Sequence, residues 1–593
     1  MKRHYNKLTV DNIPFKLKRN KNSKIQMNFQ PDSYSTDNIA LIENGNNESV
    51  SLGAVEIDVE DEVFLFSSED ESLKSVHNNT IKKDLCNIVF LIFLYFLQGI
   101  PLGLTGSLPF ILGSRNVSYA DQGTFSFAFW PFALKLLWAP IVDSIFIKKI
   151  GRRKSWLVPM QYIIGILMIL FSNYVHQLLE INQTTTRKDI YSLTTIFFIL
   201  TFFAATQDIA VDGWGLTILS KENVSWSSTC NSVGQTAGWF VGNIVFLVVQ
   251  SANFSNSYIR PFFSLPNQQF GIVTVEDFMR FFGLVFIVTT TCVFIFKKEK
   301  ETESVDSLED TLTLKQTYKL VAQIVSLPSV KKLTLLLLTS KVAFGIQSMV
   351  YLKLIEKGVS RESLGLLAIP LTPFEIVLPL LISRFTNGPR PLTIFLNTYP
   401  FRILSSSLMV LWVYWTPSFR NSDGSYGLLF FVVCILINAF NSIWNTTQSV
   451  TMMSFFTRIS DKTVGGTYMT LLNTISNIGS SWPSTVSLYI VDLFSVKTCS
   501  VDDYLNAFKN KIFNSSNSYK LFIDMIEKNT CSNEEMRIKC LKLNGKCEYK
   551  IDAFYILGFI FALVGLLWIV YFRKIVKKLQ SYQKSNWKLN FSF

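Results

Sequence analysis

The chain is short of charge and nearly without histidine. Only 17% of its 593 residues are Asp, Glu, Lys or Arg, against about 25% in an ordinary soluble domain. Its three histidines, His4, His77 and His176, stand outside the long apolar runs, which argues against imidazole acid–base or metal chemistry inside a membrane. There is no phosphate-binding P-loop, no HExxH zinc helix and no nucleophile elbow. Neither an ATP-driven engine nor an enzyme is expected, and no catalytic or metal-ligating residue is assigned. The polar N-terminal stretch lacks a short apolar core with a cleavage site, so the first spanning helix is expected to serve as the targeting signal. Basic residues outnumber acids by 56 to 43, but they flank apolar runs, which excludes a nucleic-acid partner.

What is present is apolar: 49% hydrophobic, 14% aromatic, mean hydropathy +0.29. Runs of about 20 residues, each long enough to cross a bilayer as a helix, recur along the chain. Twelve spans are expected. The first six are Ile88–Leu112, Phe125–Ile145, Trp156–Tyr174, Ile190–Leu219, Ser228–Val249 and Phe278–Phe296. The second six are Leu333–Met349, Leu364–Ser383, Leu392–Trp415, Gly427–Met453, Gly466–Phe494 and Ala553–Phe572. The expected fold is an all-α polytopic membrane protein of two six-helix halves, 84–296 and 333–572. Residues 1–83, polar and rich in Asn, Ser, Asp and Lys, read as a disordered tail. Residues 297–332 read as a linker with a short surface helix, and 573–593 as a second tail.

An even number of spans puts both termini on one side. Lys148–Lys154, Lys297, Lys298, Arg384, Arg390, Arg573 and Lys574 mark that side as cytoplasmic, because Lys and Arg near helix ends resist translocation. The Asn-x-Ser/Thr triplets at Asn116, Asn182, Asn253 and Asn514 fall on the opposite side, which leaves glycosylation open. So do Cys499, Cys531, Cys540 and Cys547, in the long loop 495–550. In an oxidising lumen these four would form two disulfides, with three pairings open.

A repeat underlies the two halves. Gly103 and Gly345, Pro131 and Pro373, Asn231 and Asn473, and Gln235 and Asn477 all share an offset of 242 residues. Related halves of this kind pack around a midplane cavity and rock to expose it to either side. Asn231 and Gln235 share a face of the fifth span, and Asn473 and Asn477 a face of the eleventh; these amides are candidates to bind a large polar ligand. The row Gly234, Gly238 and Gly242 reads instead as a helix-packing surface.

Charges within membrane helices are costly and mark function by default. The cations are Lys135, Lys341 and Arg402; the acids are Asp208, Asp212 and Glu375, with Asp143 at the end of the second span. With Asp143 and Asp212 placed at the cytoplasmic surface, cations outnumber acids and the cavity favours an anion. Asp143, Arg152, Arg153, Asp208, Asp212 and Glu375 are the candidates for gating and coupling.

The blocks LYFLQGIPLGLTGSLPFIL, NVSYADQGTFSFAFWPFALKLLWAPIVD, GRRKSWLVP, AATQDIAVDGWGLT, STCNSVGQTAG and VGGTYMTLLNTISNIGSSWPSTV closely resemble the acetyl-coenzyme A transporter family, solute carrier family 33. The likeness runs from about Asn87 to Phe572. It implies a major facilitator fold in the endoplasmic reticulum membrane that carries acetyl-CoA from cytosol to lumen, where acetyltransferases use it. Exchange against lumenal CoA is a hypothesis added to this, since CoA is left after acetyl transfer. It implies no resident cofactor. Acetyl-CoA bears phosphates that suit Lys135, Lys341 and Arg402, an assignment from charge placement alone. Proton coupling, a homodimer, another organic anion such as a nucleotide sugar or muropeptide, and a non-transporting scaffold stay open.

Overall fold

The computed structural model describes residues 7–10, 13–16, 18–19, 25–26, 70–115, 117–179, 186–220, 223, 226–299, 314–386, 390–460, 465–500, 531 and 546–588. Contacts divide the chain into Met1–Asn79 and Thr80–Phe593. The first unit contains two short antiparallel hairpins, Lys7–Val10 with Ile13–Lys16 and Lys18–Arg19 with Ile25–Gln26. Most of the expected tail lies outside the described residues, as do the triplet asparagines Asn116, Asn182 and Asn514, linker residues 300–313, and Cys540.

The second unit is the membrane body, and it has the two-half, twelve-crossing architecture. Ten helices among the described residues are long and apolar enough to cross a membrane. The other two crossings are the second and the eleventh. The second is broken into helices Tyr119–Ser126, Trp130–Leu134 and Ala139–Ser144, joined by 3-10 turns Phe127–Phe129 and Lys135–Leu137. Pro131 and Pro140 lack the amide hydrogens that would continue a helix across these joints. The eleventh, Gly465–Phe494, is one helix interrupted only by Pro483, but a polar one. The seventh also changes character: after Pro328–Thr339 it runs as 3-10 helix Val342–Met349, then Val350–Glu356. The fifth carries a π segment, Val241–Val245, between Trp226–Phe240 and Phe246–Gln250. Irregular backbone at membrane depth is tolerated where it is buried in protein or lines a cavity. The expected linker helix is present at Leu314–Ser326.

Each half has its own core. In the first, Leu104, Phe125, Ile164, Phe197, Phe246 and Phe286 pack together, all buried. In the second, Leu337, Tyr399, Phe456, Leu472 and Trp568 do so, with Tyr399 stacked on Trp568 at 4.7 Å. Leu170, Phe281, Leu567 and Val570 point outward, each at least 60% exposed. Such surfaces are stable only against lipid.

Glycines set the close helix pairs, and the repeat holds in three dimensions. A Cβ on Gly103 would meet Trp239 O of the fifth span at 2.4 Å; one on Gly345 would meet Pro483 O of the eleventh at 2.8 Å. The first span thus packs on the fifth as the seventh packs on the eleventh. Gly234, Gly238 and Gly242 lie against the first-span carbonyls of Ile92, Phe96 and Ile100. Their row is the packing surface expected.

One end of the bundle carries the basic loop, and the other a hairpin of strands Val496–Ser500 and Lys546–Ile551. Cys531 and Cys547 form a disulfide there, with Cα atoms 6.0 Å apart. Cys499 stands opposite Cys547 in the strand register. These ends are called the basic face and the cystine face below.

Candidate functional site

The halves meet along an antiparallel zipper between the second and eleventh spans. From the cystine face inward, Tyr119 N donates to Asp492 Oδ1 at 3.1 Å. Thr124 then pairs with Tyr489 at 2.9 Å and Ser126 with Thr485 at 2.8 Å, and Trp130 Nε1 donates to Thr485 at 3.3 Å. At the same end, Phe110 of the first span contacts Tyr351 of the seventh at 5.9 Å between ring centres. Gly365 of the eighth sits against Val248 of the fifth.

Beyond this zipper, toward the basic face, lies a cavity of about 460 Å³ between the halves, lined by Leu102, Phe129, Phe132, Ala133, Gln235, Thr236, Trp239, Glu375, Asn477, Ser480 and Ser481. Its volume lies within the range of small-molecule sites, about 300–1,000 Å³. The repeat-related amides Gln235 and Asn477 face it from opposite halves. The irregular stretch of the second span runs past it at Phe129, and Trp239 of the fifth span lines it two residues before that span's π segment. Glu375 also lines it and accepts from Ser442 Oγ at 2.7 Å.

The predicted cations behave differently from one another. Lys341 Nζ donates to Ser480 Oγ at 2.7 Å, and Ser480 is part of the cavity wall. Arg402 is buried; its Nη1 donates to Gln448 Oε1 at 2.6 Å, its guanidinium carbon lies 4.1 Å from the Phe344 ring centre, and its Nε has no partner. Neither makes a carboxylate ion pair among the described residues. Lys135, by contrast, is ion-paired to Asp208, with Asp212 Oδ2 at 3.6 Å. Its expected role as a free phosphate contact is corrected accordingly: two carboxylates one helical turn apart on the fourth span already neutralise it. Asp212 likewise belongs to this cluster rather than standing apart at the surface. The six intramembrane charges are therefore three of each sign, and the positive surplus is confined to the second half.

The rest of the cluster comes from the first and fifth spans. Gln98 Nε2 donates to Asp208 Oδ1 at 2.6 Å. Tyr95 Oη and Asn231 Nδ2 donate to Asp212 Oδ1 at 2.7 and 3.1 Å. Asn231 thus serves the carboxylate, while Gln235, one turn on, faces the cavity. Asn473 is half-buried one turn before Asn477. Tyr95 and Gln98 were not singled out from sequence, because one Tyr and one Gln in an apolar run carry no pattern.

At the basic face, Arg153 Nη1 binds Asp143 Oδ1 at 2.5 Å and Arg152 Nε donates to the Asp143 carbonyl at 2.8 Å. The backbone amides of Arg153 and Lys154 point at Glu299, at the end of the sixth span. Gly151 is required here: its φ is +105° and a side chain would strike Glu299. The loop therefore staples the second, third and sixth spans together. At the cystine face, a network missed in the sequence surrounds Lys353, whose side chain is wholly buried. Its Nζ reaches Asp552 at 2.7 Å and Glu356 at 3.0 Å. Tyr119 of the first half donates to the same Glu356 at 2.7 Å. Tyr549 of the hairpin lies over Lys353 at 4.0 Å; burial and the nearby Glu356 carboxylate hold its phenol well above the ordinary tyrosine range.

Two repeat-related halves around a cavity, with polar and charged groups facing or backing it, define a multi-pass membrane transporter. The family model described as Acetyl-coenzyme A transporter 1 matches residues 87–313, 302–416 and 392–589, and the chain belongs to that family. It is 32% identical to an uncharacterised Schizosaccharomyces pombe protein over 91% of this chain and 97% of that one. It is 30% identical to an uncharacterised Saccharomyces cerevisiae membrane protein over 86% and 98%. A segment of 152 residues, 26% of this chain, is 25% identical to the Escherichia coli anhydromuropeptide permease, of which it covers 29%. The fold is similar to that of a bacterial homologue of the human lysosomal transporter Spinster, inward-facing and occupied, with 12% identity, TM-score 0.47, and coverage of 86% and 99%.

Proposed function

We propose that this protein carries acetyl-CoA across the endoplasmic reticulum membrane from cytosol to lumen by alternating access, in exchange for CoA. The observation that carries this reading is the pairing of a cavity between the halves with two cations, Lys341 and Arg402, that no described carboxylate neutralises. Buried charges are normally paired; here a ligand's phosphates supply the missing anions. Gln235 and Asn477 are placed to meet the ligand's amide and adenine groups. The zipper and the Lys353 network then form the lumenal gate, and the basic face is cytosolic. In this reading the substrate passes intact, with no acyl transfer to the protein.

The test is uptake into proteoliposomes of acetyl-CoA labelled on both acetyl and adenine. The two labels should enter together and be competed by CoA. Entry of acetyl label alone would point to a membrane acetyltransferase. The partial likeness to a muropeptide permease favours one other solute class. Competition by anhydromuropeptide but not by CoA would transfer the assignment to it.

A further inference from the structure

The segment between the fifth and sixth spans, Ser251–Thr274, carries one charged residue, Arg260, and that residue is buried. Its Nη1 donates to Asn256 Oδ1 at 2.5 Å. Its Nη2 donates to the Phe270 carbonyl at 2.7 Å, and to Gln268 Oε1 and the Gly271 carbonyl at 3.3 Å each. The side chains left outside are mostly aromatic. Phe262 is 82% exposed, and Tyr258, Phe263, Leu265 and Phe270 are each more than half exposed. A loop that met only water would carry charge on that surface and hide its rings.

The projection is built to hold its shape. The fifth span ends at Gln250, and the extended backbone of Ser251 turns the chain off its axis. A second helical stretch then runs from Ala252 to Phe262. Phe254, Tyr258 and Phe262 recur along it every four residues, with the first two rings 5.0 Å apart. Asn256 holds the returning chain: its Nδ2 donates to the Gln268 carbonyl at 2.8 Å, and its Oδ1 accepts from Gln268 N at 3.1 Å. Ser264 ends the stretch at φ +54°, a left-handed position that usually falls to glycine. Leu265 N donates to the Arg260 carbonyl at 2.8 Å and Ser264 N to that of Pro261 at 3.2 Å, the two bonds of a Schellman cap. The level of the loop is fixed as well. Ile272 N donates to the Val249 carbonyl at 3.0 Å, so the chain returns at the end of the fifth span. The sixth span opens with Glu276, Asp277 and Arg280, charges that mark the edge of the hydrocarbon, and turns Phe281 and Leu284 outward beyond them.

We propose that this loop is an interfacial foot, with Tyr258, Phe262, Phe263 and Phe270 seated among the headgroups and upper acyl chains of the leaflet on the cystine side. The occupant is lipid because the patch continues along the chain, through Ile272, into the lipid-facing sixth span. It is lipid of any headgroup charge, because the loop exposes no charged side chain for an acidic headgroup to meet. The foot holds the end of the fifth span, whose glycine row packs on the first, so the first half rocks with this end kept in the leaflet. The surface assignment is independent of which solute is carried.

The test is photo-crosslinking of the full-length protein in nanodiscs, read peptide by peptide by mass spectrometry. Phosphatidylcholine with a diazirine beside the glycerol should label residues 251–272, and a diazirine at the acyl terminus should label them about tenfold less, since an interfacial element sits only about 5–10 Å deep. Around Val288 of the sixth span the preference should reverse. A phosphatidylserine probe should match the phosphatidylcholine probe within about twofold, because no exposed base attracts it. Phe262→Glu with Phe263→Glu should cut labelling of the loop about tenfold and leave labelling around Leu567 and Val570 unchanged, which also shows that the variant is folded. A wild-type loop that escapes the glycerol probe, labelling confined to the phosphatidylserine probe, or full labelling of the folded double variant overturns the proposal. Loop-to-loop cross-links between two copies in place of lipid adducts overturn it as well and assign the patch to a homodimer. The wild-type comparison of depths decides the matter even where the double variant does not fold.

Discussion

Replacing Lys353 by methionine is expected to unlatch the cystine face. The ammonium is wholly buried between Glu356 and Asp552, at 3.0 and 2.7 Å. Glu356 in turn receives the hydroxyl of Tyr119 from the other half. Methionine fills a similar volume but leaves two carboxylates facing each other without their cation. Removing one partner of a buried ion pair typically costs about 3–5 kcal/mol. If that cost falls on the closed arrangement alone, opening becomes about two to four orders of magnitude more favourable, at about 1.4 kcal/mol per tenfold. The assay is peptide-resolved maleimide labelling of Thr485→Cys, which sits behind the latch in the second–eleventh zipper. Labelling from the cystine face should be slow in the parent and fast with Lys353→Met. The triple variant Lys353→Met, Glu356→Gln, Asp552→Asn, uncharged throughout, should recover much of the protection. Equal labelling of parent and Lys353→Met, with both proteins folded, would refute the latch.

Other expectations follow from the same geometry. Lys135→Met should lower stability by about 3–5 kcal/mol by stranding Asp208, and adding Asp208→Asn should restore part of it; thermal unfolding in detergent reads both. Gly238→Leu should prevent correct assembly, since even a Cβ there would lie 2.0 Å from the Phe96 carbonyl oxygen; monodispersity on size exclusion reports it. Arg153→Gln should free the Asp143 end of the second span and quicken hydrogen exchange in residues 143–154 without changing exchange at the cystine face.

The architecture was legible because spanning helices are long, apolar and flanked by basic residues, and because Gly103, Gly345, Gln235 and Asn477 keep a common offset. Gln235 and Asn477 indeed line the cavity from both halves. The candidate site was legible in its parts but not in its pairings. Asp208 and Asp212 were visibly on one face of a helix. That this face turns toward Lys135 depends on how the broken second span is rotated, which no local pattern encodes. The breaks in the second span fall at Pro131 and Pro140, but that stretch reads in sequence as one continuous span, Phe125–Ile145, and the 3-10 run after Lys341 carries no local signal. The Lys353 network escaped because its members, Tyr119, Lys353, Glu356, Tyr549 and Asp552, come from three separate stretches near helix ends. There, charged residues usually face water, and only the tertiary fold buries them.

The account turns on phosphate recognition by Lys341 and Arg402, the second-half cations that no described carboxylate neutralises. The most direct measurement is calorimetric binding of acetyl-CoA to the purified full-length protein and to Lys341→Met and Arg402→Met. A charge-assisted phosphate contact is worth about 1.5–3 kcal/mol. Each substitution should therefore weaken binding by about 10- to 100-fold, with unfolding temperature preserved or raised because an unneutralised buried charge is gone. Unchanged affinity in both variants would contradict the account.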